Sequence, residues 1–296
     1  MTQNPKLSEF EIYLTSSLFR ISIFGFRILF RCNMMLPRLL SREVTIPLAT
    51  SLIMLAAWET LVHSGVLRAA FFPAPTSIAH TLWGLALSGE LWVHAGTTLG
   101  RLLLSFVMAL IPATALGLAM GWWRTVRTTA DPLVNLLFPI PSIAFFPVVI
   151  FYFGLSEWGL LLTGAITPFL LITVQAAAAI EGLERTLLEA GRNYGATGWR
   201  LFVRVMLPAA LPHLFIGYRL AVGVGFIVIV AVEMIAAKHG LGGYLWHSWQ
   251  ILRIEEMYVG LVLIGLLGIF VTYGLEALAR RLMPWQVDLL RVKEQR

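Results

Sequence analysis

The chain is predicted to be an all-α, polytopic membrane protein that crosses the bilayer about six times. Three observations carry that expectation. Of its 296 residues, 58% are hydrophobic and only 13% charged. Apolar stretches of bilayer-spanning length recur along it, and Lys and Arg gather in alternate connections. A mean hydropathy of +0.80 is too high, and the charge too sparse, for an ordinary soluble domain.

The elements follow in order. Within residues 1–45 the string LFRISIFGFRILFR is apolar but interrupted by Arg20, Arg27 and Arg31. It has neither a long apolar core nor a small-residue cleavage site, so it reads as an interfacial amphipathic helix and not as a removed signal peptide. The transmembrane domain is expected over residues 46–285, with spans near 46–66, 91–122, 132–153, 158–180, 211–237 and 258–279. A short tail, 286–296, completes the chain. Only residues 154–157 separate the third span from the fourth, which makes that pair a helical hairpin. The third span contains Pro139, Pro141 and Pro147 in FPIPSIAFFP. Proline lacks the amide hydrogen a helix interior uses, so this span cannot be regular throughout.

Charge sets the expected direction. Lys6, Arg20, Arg27, Arg31, Arg38 and Arg42 precede the first span, and Arg124 and Arg127 follow the second. Arg185, Arg192, Arg200 and Arg204 lie between the fourth and fifth, and Arg280, Arg281, Arg291, Lys293 and Arg296 follow the last. The alternate connections hold only Arg68, Lys238 and Arg253. Cytoplasmic loops retain Lys and Arg, so both termini are expected in the cytoplasm. The net charge of +6 follows from that asymmetry and suits anionic lipid headgroups. A nucleic-acid partner is not expected, because no soluble domain presents a basic face.

Chemistry is sparse. A phosphate-binding loop needs Gly-Lys-Ser/Thr, and none of Lys6, Lys238 or Lys293 sits in that setting, so any ATP-derived energy has to come from another polypeptide. The single Cys32 excludes an intramolecular disulfide and a zinc cluster. The six histidines are scattered, mostly near span ends, without the i, i+4 spacing of a metal pair. No catalytic residue, metal or cofactor is expected.

The most informative segment is the polar interruption of about 30 residues, near 181–210, between the fourth and fifth spans. Residues 183–194 favour a helix, with Glu181/Arg185 and Glu189/Arg192 at supporting spacings. Gly195 follows where a helix C-terminus needs positive φ, and Thr197 can cap a second helix. That second helix would carry Trp199, Phe202 and Met206 on one side and Arg200 and Arg204 on another, ending at Leu207-Pro208.

The string EAGRNYGATGWRLFVRVMLP resembles the EAA motif of ABC-importer permeases: Glu-Ala-Ala, three residues, Gly, nine residues, Ile-x-Leu-Pro. Glu189, Ala190, Gly191 in place of the second Ala, Gly195, Val205 for Ile, Leu207 and Pro208 keep the register. The segments FPIPSIAFFP, PAPTSI, VEMIAAKHGLGGYL and GYRLAVG are similar to the nitrate, sulfonate and taurine branch of that family, and the resemblance covers about residues 46–285. It implies a type I ABC-importer permease fold in the bacterial inner membrane, two permease copies forming the pathway, and an extracytoplasmic substrate-binding protein. It also implies ABC ATPase subunits that bind ATP and Mg and dock on a coupling helix formed by Glu189 to Pro208, including Ala196 and Thr197. A self-sufficient secondary transporter or channel is the alternative; it would need an internal repeat and buried ion-coupling charges, and no repeat is evident.

Polar groups inside apolar spans are the candidates for a translocation surface: Asn135, Ser142, Thr163, Thr167, Thr173 and Gln175. Thr163 and Thr167 share a helix face beside Pro168. Ionisable residues in a bilayer face a partner or water. Arg101 and Glu233 both fall in the outer halves of their spans and are expected to pair, serving packing or substrate. Arg219, with no acidic residue near it in sequence, is a candidate to bind an anion or to snorkel. Gly117 and Gly121, four apart, with Gly260, Gly265 and Gly268, mark close helix contacts within or between subunits.

Overall fold

The computed structural model describes residues 42–282, and within them every regular element is helical. In chain order these are α1 (Arg42–His63), α2 (Pro75–Ser88), α3 (Glu90–Trp122), α4 (Arg124–Leu137), α5 (Phe146–Phe153) and α6 (Glu157–Glu181). They continue with α7 (Arg185–Asn193), α8 (Gly198–Ala236), α9 (Leu241–Gln250) and α10 (Ile254–Leu282). Among the described residues, five helices are long and apolar enough to cross a membrane, and α4 with the segment Ser142–Phe153 makes a sixth, broken candidate. The interfacial helix expected within residues 1–45 and the tail from 286 lie outside the described residues, apart from the start of α1.

Two compact units meet at Thr76 and Ser77. In the first, α1 begins a turn earlier than the expected span. The Glu59 carboxylate near its end accepts from the Thr76 amide at 3.1 Å and from the Thr76 hydroxyl at 2.6 Å, which fixes the return of the chain.

The second unit is built on α3, α6 and α8, held at very short separation by small residues. A β-carbon at Gly117 would lie 2.6 Å from that of Ala176, and one at Gly121 would lie 2.7 Å from that of Ile180. At Gly164 it would overlap Ile229, and at Gly225 it would press on the Pro168 ring at 2.8 Å. Lipid is as apolar as a leucine side chain, so close packing and interhelical hydrogen bonds replace burial as the source of stability. Tyr218 and Thr114 share a hydrogen bond at 3.0 Å between α8 and α3, and the Ser105 hydroxyl of α3 donates to the Leu161 carbonyl of α6 at 3.0 Å. Gly117 and Gly121 thus serve packing within the chain. Gly260 meets Leu245, Gly268 meets Phe226, and Gly265 has no such neighbour.

The third span is irregular, as its prolines require, but starts earlier than expected: α4 begins at Arg124, so Arg124 and Arg127 are helical, and the chain bends by 90° between α4 and the short 3-10 turn Ser142–Phe145 that leads into α5. Pro139 and Pro141 remove two amide donors within three residues, more than one helix can bridge. Next, Pro208 does not end a helix. The helix α8 runs for 39 residues, Gly198–Ala236. A π-helical turn at Phe202–Met206 widens it just before the proline, so the Leu207 amide donates to the Phe202 carbonyl five residues back. Finally, α2 and α9 were not expected, because both are too short to show as spans.

Candidate functional site

The segment expected to couple to an ATPase occupies one end of the bundle, where α6 stops and α8 begins. Helix α7 closes with paired hydrogen bonds from the Ala196 amide to the Gly191 carbonyl at 3.0 Å and from the Gly195 amide to the Arg192 carbonyl at 2.9 Å. Gly195 sits at φ 84°, as this helix ending requires. Thr197 occupies the N-cap position of α8, though its side chain makes no capping bond. Gly191 is tight against Leu201 and Val205: a β-carbon there would come within 3.0 Å of Leu201. Its departure from the motif's alanine is thereby a packing feature that lets α7 lie close on α8.

The expected aromatic face is split. Phe202 and Met206 turn inward with Leu201, onto Ala176, Ala179 and Ile180 of α6. Trp199 remains 66% exposed and stacks on Phe202 at 5.2 Å, while Trp122 at the end of α3 meets the other side of Phe202 edge-on at 5.1 Å. Tyr194 is 93% exposed. Glu189, Ala190, Arg200, Arg204 and Pro208 face outward, Ala196 is half-buried against the cluster, and Leu207 is half-buried. The segment therefore presents aromatic and charged groups outward and anchors them through Phe202 to two membrane helices. The expected Glu181/Arg185 pair does not form, since Glu181 pairs with Arg127 of α4, and no ion pair joins Glu189 to Arg192 among the described residues.

A second cluster occupies the opposite end. Arg101 and Glu233 do pair, at 2.8 Å, and both are buried. Glu233 also accepts from the Thr98 hydroxyl at 2.8 Å and from the Gly242 amide at 3.0 Å. The Arg101 guanidinium continues to the His239 carbonyl at 2.6 Å and clasps Glu157 with two bonds, at 2.8 Å and 2.6 Å. The Gly240 amide donates to His94 at 3.1 Å and the Leu241 amide to the Thr98 hydroxyl at 2.8 Å. Gly240 is at φ 110°, and a β-carbon there would strike the Glu233 carboxylate. Tyr244 of α9 meets the His94 ring at 5.0 Å, and burial pushes its phenol above the ordinary tyrosine range. Glu157, His94, Thr98 and the residue 239–242 backbone were missed in the sequence. The available signal was the spacing of His94, Thr98, Arg101 and Ser105, a polar stripe on one face of α3, all buried.

The remaining polar candidates divide. Ser142 and Thr167 share a hydrogen bond across the break and line a cleft of about 470 Å³ with Pro139, Pro141, Leu171 and Val228. Thr163 and Thr173 do not reach it. Both are fully buried, and their hydroxyls donate at 2.8 Å to the Gly159 and Phe169 carbonyls one turn back in their own helix. Asn135 is exposed on α4, and Gln175 packs on Gly217. Arg219 is not remote from acids, because the fold brings it within electrostatic reach of Glu276 and Tyr273 of α10.

Residues 113–285 match the family described as the binding-protein-dependent transport system inner membrane component. The chain belongs to that family. The permease is 31% identical over 255 residues to the taurine transport system permease protein TauC of Escherichia coli (strain K12), covering 84% of this chain and 93% of that one. It is 29% identical to the putative aliphatic sulfonates transport permease protein SsuC of the same organism, over 78% of this chain and 88% of that one. It is 25% identical to the nitrate import permease protein NrtB of Leptolyngbya laminosa, over 78% and 85%. It is thus the multi-pass permease component of an ABC importer, with a transport and not an enzymatic role, in a family that works with ATPase and substrate-binding partners. A self-sufficient secondary transporter is not favoured.

Proposed function

We propose that this permease imports a small sulfonate-like or nitrate-like anion across the bacterial inner membrane. Two copies form the pathway, and both termini lie in the cytoplasm as the distribution of Lys and Arg requires. ATP and Mg bind to, and hydrolysis occurs on, separate ATPase subunits; the permease itself carries no cofactor. The ATPase grips the segment from Glu189 to Pro208, and a substrate-binding protein delivers the solute at the opposite end. The observation that carries this reading is the continuity of the exposed Trp199 turn with the 39-residue helix α8. A movement imposed at Trp199 enters the membrane without an intervening loop, both along α8 and through Phe202 to Trp122 of α3.

The break between α4 and α5 is the pathway wall in this reading. Irregular backbone at membrane depth is tolerated where it is buried in protein or lines a cavity. Ser142 and Thr167 supply hydroxyls there, with Asn135 along the same broken span. The test is uptake of radiolabelled taurine, methanesulfonate and nitrate into proteoliposomes holding the permease and its ATPase, with binding protein outside. Uptake that needs ATP and is competed by the other anions supports the reading. Uptake driven by an ion gradient without ATP overturns it.

A further inference from the structure

We propose that Arg101 is a positioning residue for transport: by holding Glu157 and Glu233 together it joins the outer half of α3 to the outer ends of α6 and α8, so that events there and at the coupling segment reach each other through one stiff three-helix body. The inference rests on the importer reading above.

Both ends belong to the same helices. The helix α6 starts at Glu157 beside Arg101 and ends at Glu181 beside the coupling segment; its 25 residues span about 36 Å at helical rise. The helix α8 starts in the coupling segment and carries Glu233 in its last turn. The helix α3 contributes Arg101, about three turns from its start, and Trp122 at its far end. The intervening packing leaves little slack. Gly117 and Gly121 seat α3 on α6, Gly164 and Gly225 seat α6 on α8, and the Pro168 ring, at the one proline inside α6, is braced on Gly225.

The two carboxylates on Arg101 are not equivalent. Glu233 is fully enclosed and takes further bonds from Thr98 and Gly242, so it belongs to the fold itself. The Glu157 side chain is 66% exposed, and among the described residues its only hydrogen bonds are the two from Arg101. A carboxylate so placed adds little to stability, because water would serve it nearly as well. A two-point grip on a planar guanidinium nevertheless fixes its direction. What Glu157 contributes is the geometry of the first turn of α6, next to the Gly154 turn that joins it to α5 and the cleft.

The test uses the full complex of permease, ATPase and binding protein in lipid nanodiscs. ATP hydrolysis is measured without binding protein and with binding protein saturated by whichever of taurine, methanesulfonate or nitrate stimulates the wild type most. For Glu157→Gln the expected result is normal ATPase association, basal hydrolysis within twofold of wild type, and stimulation reduced at least fivefold. Glu157→Asp, which keeps the charge, is expected to recover at least half of it. Arg101→Ala leaves Glu233 buried without its cation and is open to misfolding, so the solvated Glu157 variants decide the matter. Wild-type stimulation in Glu157→Gln overturns the proposal, as does loss of ATPase association, which would make the grip ordinary packing. A wild-type complex without stimulation by any of the three overturns the importer reading instead.

Discussion

Replacing Phe202 by alanine removes the ring that ties the coupling segment to the membrane helices. Phe202 is 7% exposed and packs among Leu201, Met206, Ile180 and Ala176, with Trp199 stacked on one side and Trp122 edge-on to the other. Truncating a buried phenylalanine costs about 3–5 kcal/mol through lost contacts and the cavity left behind. Each of the two aromatic contacts, at 5.2 and 5.1 Å, accounts for about 0.5–1.5 kcal/mol of that loss. At roughly 2–4 °C per kcal/mol for a domain of this size, the apparent melting midpoint in detergent should fall by roughly 6–20 °C. Trp199→Ala is the paired control. Trp199 is mostly exposed, so only the stack is lost, about 0.5–1.5 kcal/mol, yet the aromatic face proposed to dock the ATPase is gone. Size-exclusion melting curves and ATPase pull-down on both variants separate the roles: Phe202→Ala melts early, and Trp199→Ala melts nearly as wild type but loses the ATPase. An unchanged midpoint for Phe202→Ala, or an equal drop for both, would refute the assignment of Phe202 as the internal anchor.

Gly117→Val forces α3 off α6 at the Thr173 carbonyl and Ala176; overpacking of this kind costs about 1–3 kcal/mol, and a lower melting midpoint with reduced yield of folded permease is expected. Gly240→Ala meets both a positive φ and the Glu233 carboxylate, so it should destabilise more than Gly265→Ala, whose β-carbon meets open space, in the same melting assay. Glu181→Ala removes a half-exposed ion pair with Arg127 and should change stability by less than about 1 kcal/mol. A larger effect there would mean that α4 is fastened to α6 mainly through that pair.

Much of the fold was legible because bilayer length and proline content are local properties. The spans near 91–122, 158–180 and 258–279 match α3, α6 and α10 closely, and FPIPSIAFFP announced its own break. The turn at Gly195 was equally local, since a helix ending of that kind needs a residue at ease with positive φ. The π-helical turn before Pro208 was not legible, because a proline in sequence reads as a helix ending as readily as it marks a widened turn in a helix that continues. The outer cluster was half visible. An arginine and a glutamate at matching depth suggested a pair, but Glu157 lies at a helix start, where an acid needs no special explanation, and the His239–Gly242 backbone enters only through the fold of the chain between α8 and α9. Thr163 and Thr173 were harder to read, because a hydroxyl bonded to its own helix backbone looks, in sequence, like any other hydroxyl in a membrane span.

The central claim is that the segment from Glu189 to Pro208 couples this permease to an ATPase, and co-purification tests it most directly. Tagged wild-type permease and a Tyr194→Ala, Trp199→Ala double variant, both altered only at exposed side chains, are each expressed with the ATPase encoded nearest to the permease gene. The account predicts that wild type retains the ATPase and that the double variant, still folded in the membrane, does not. Equal retention by both, or none by wild type, would contradict it.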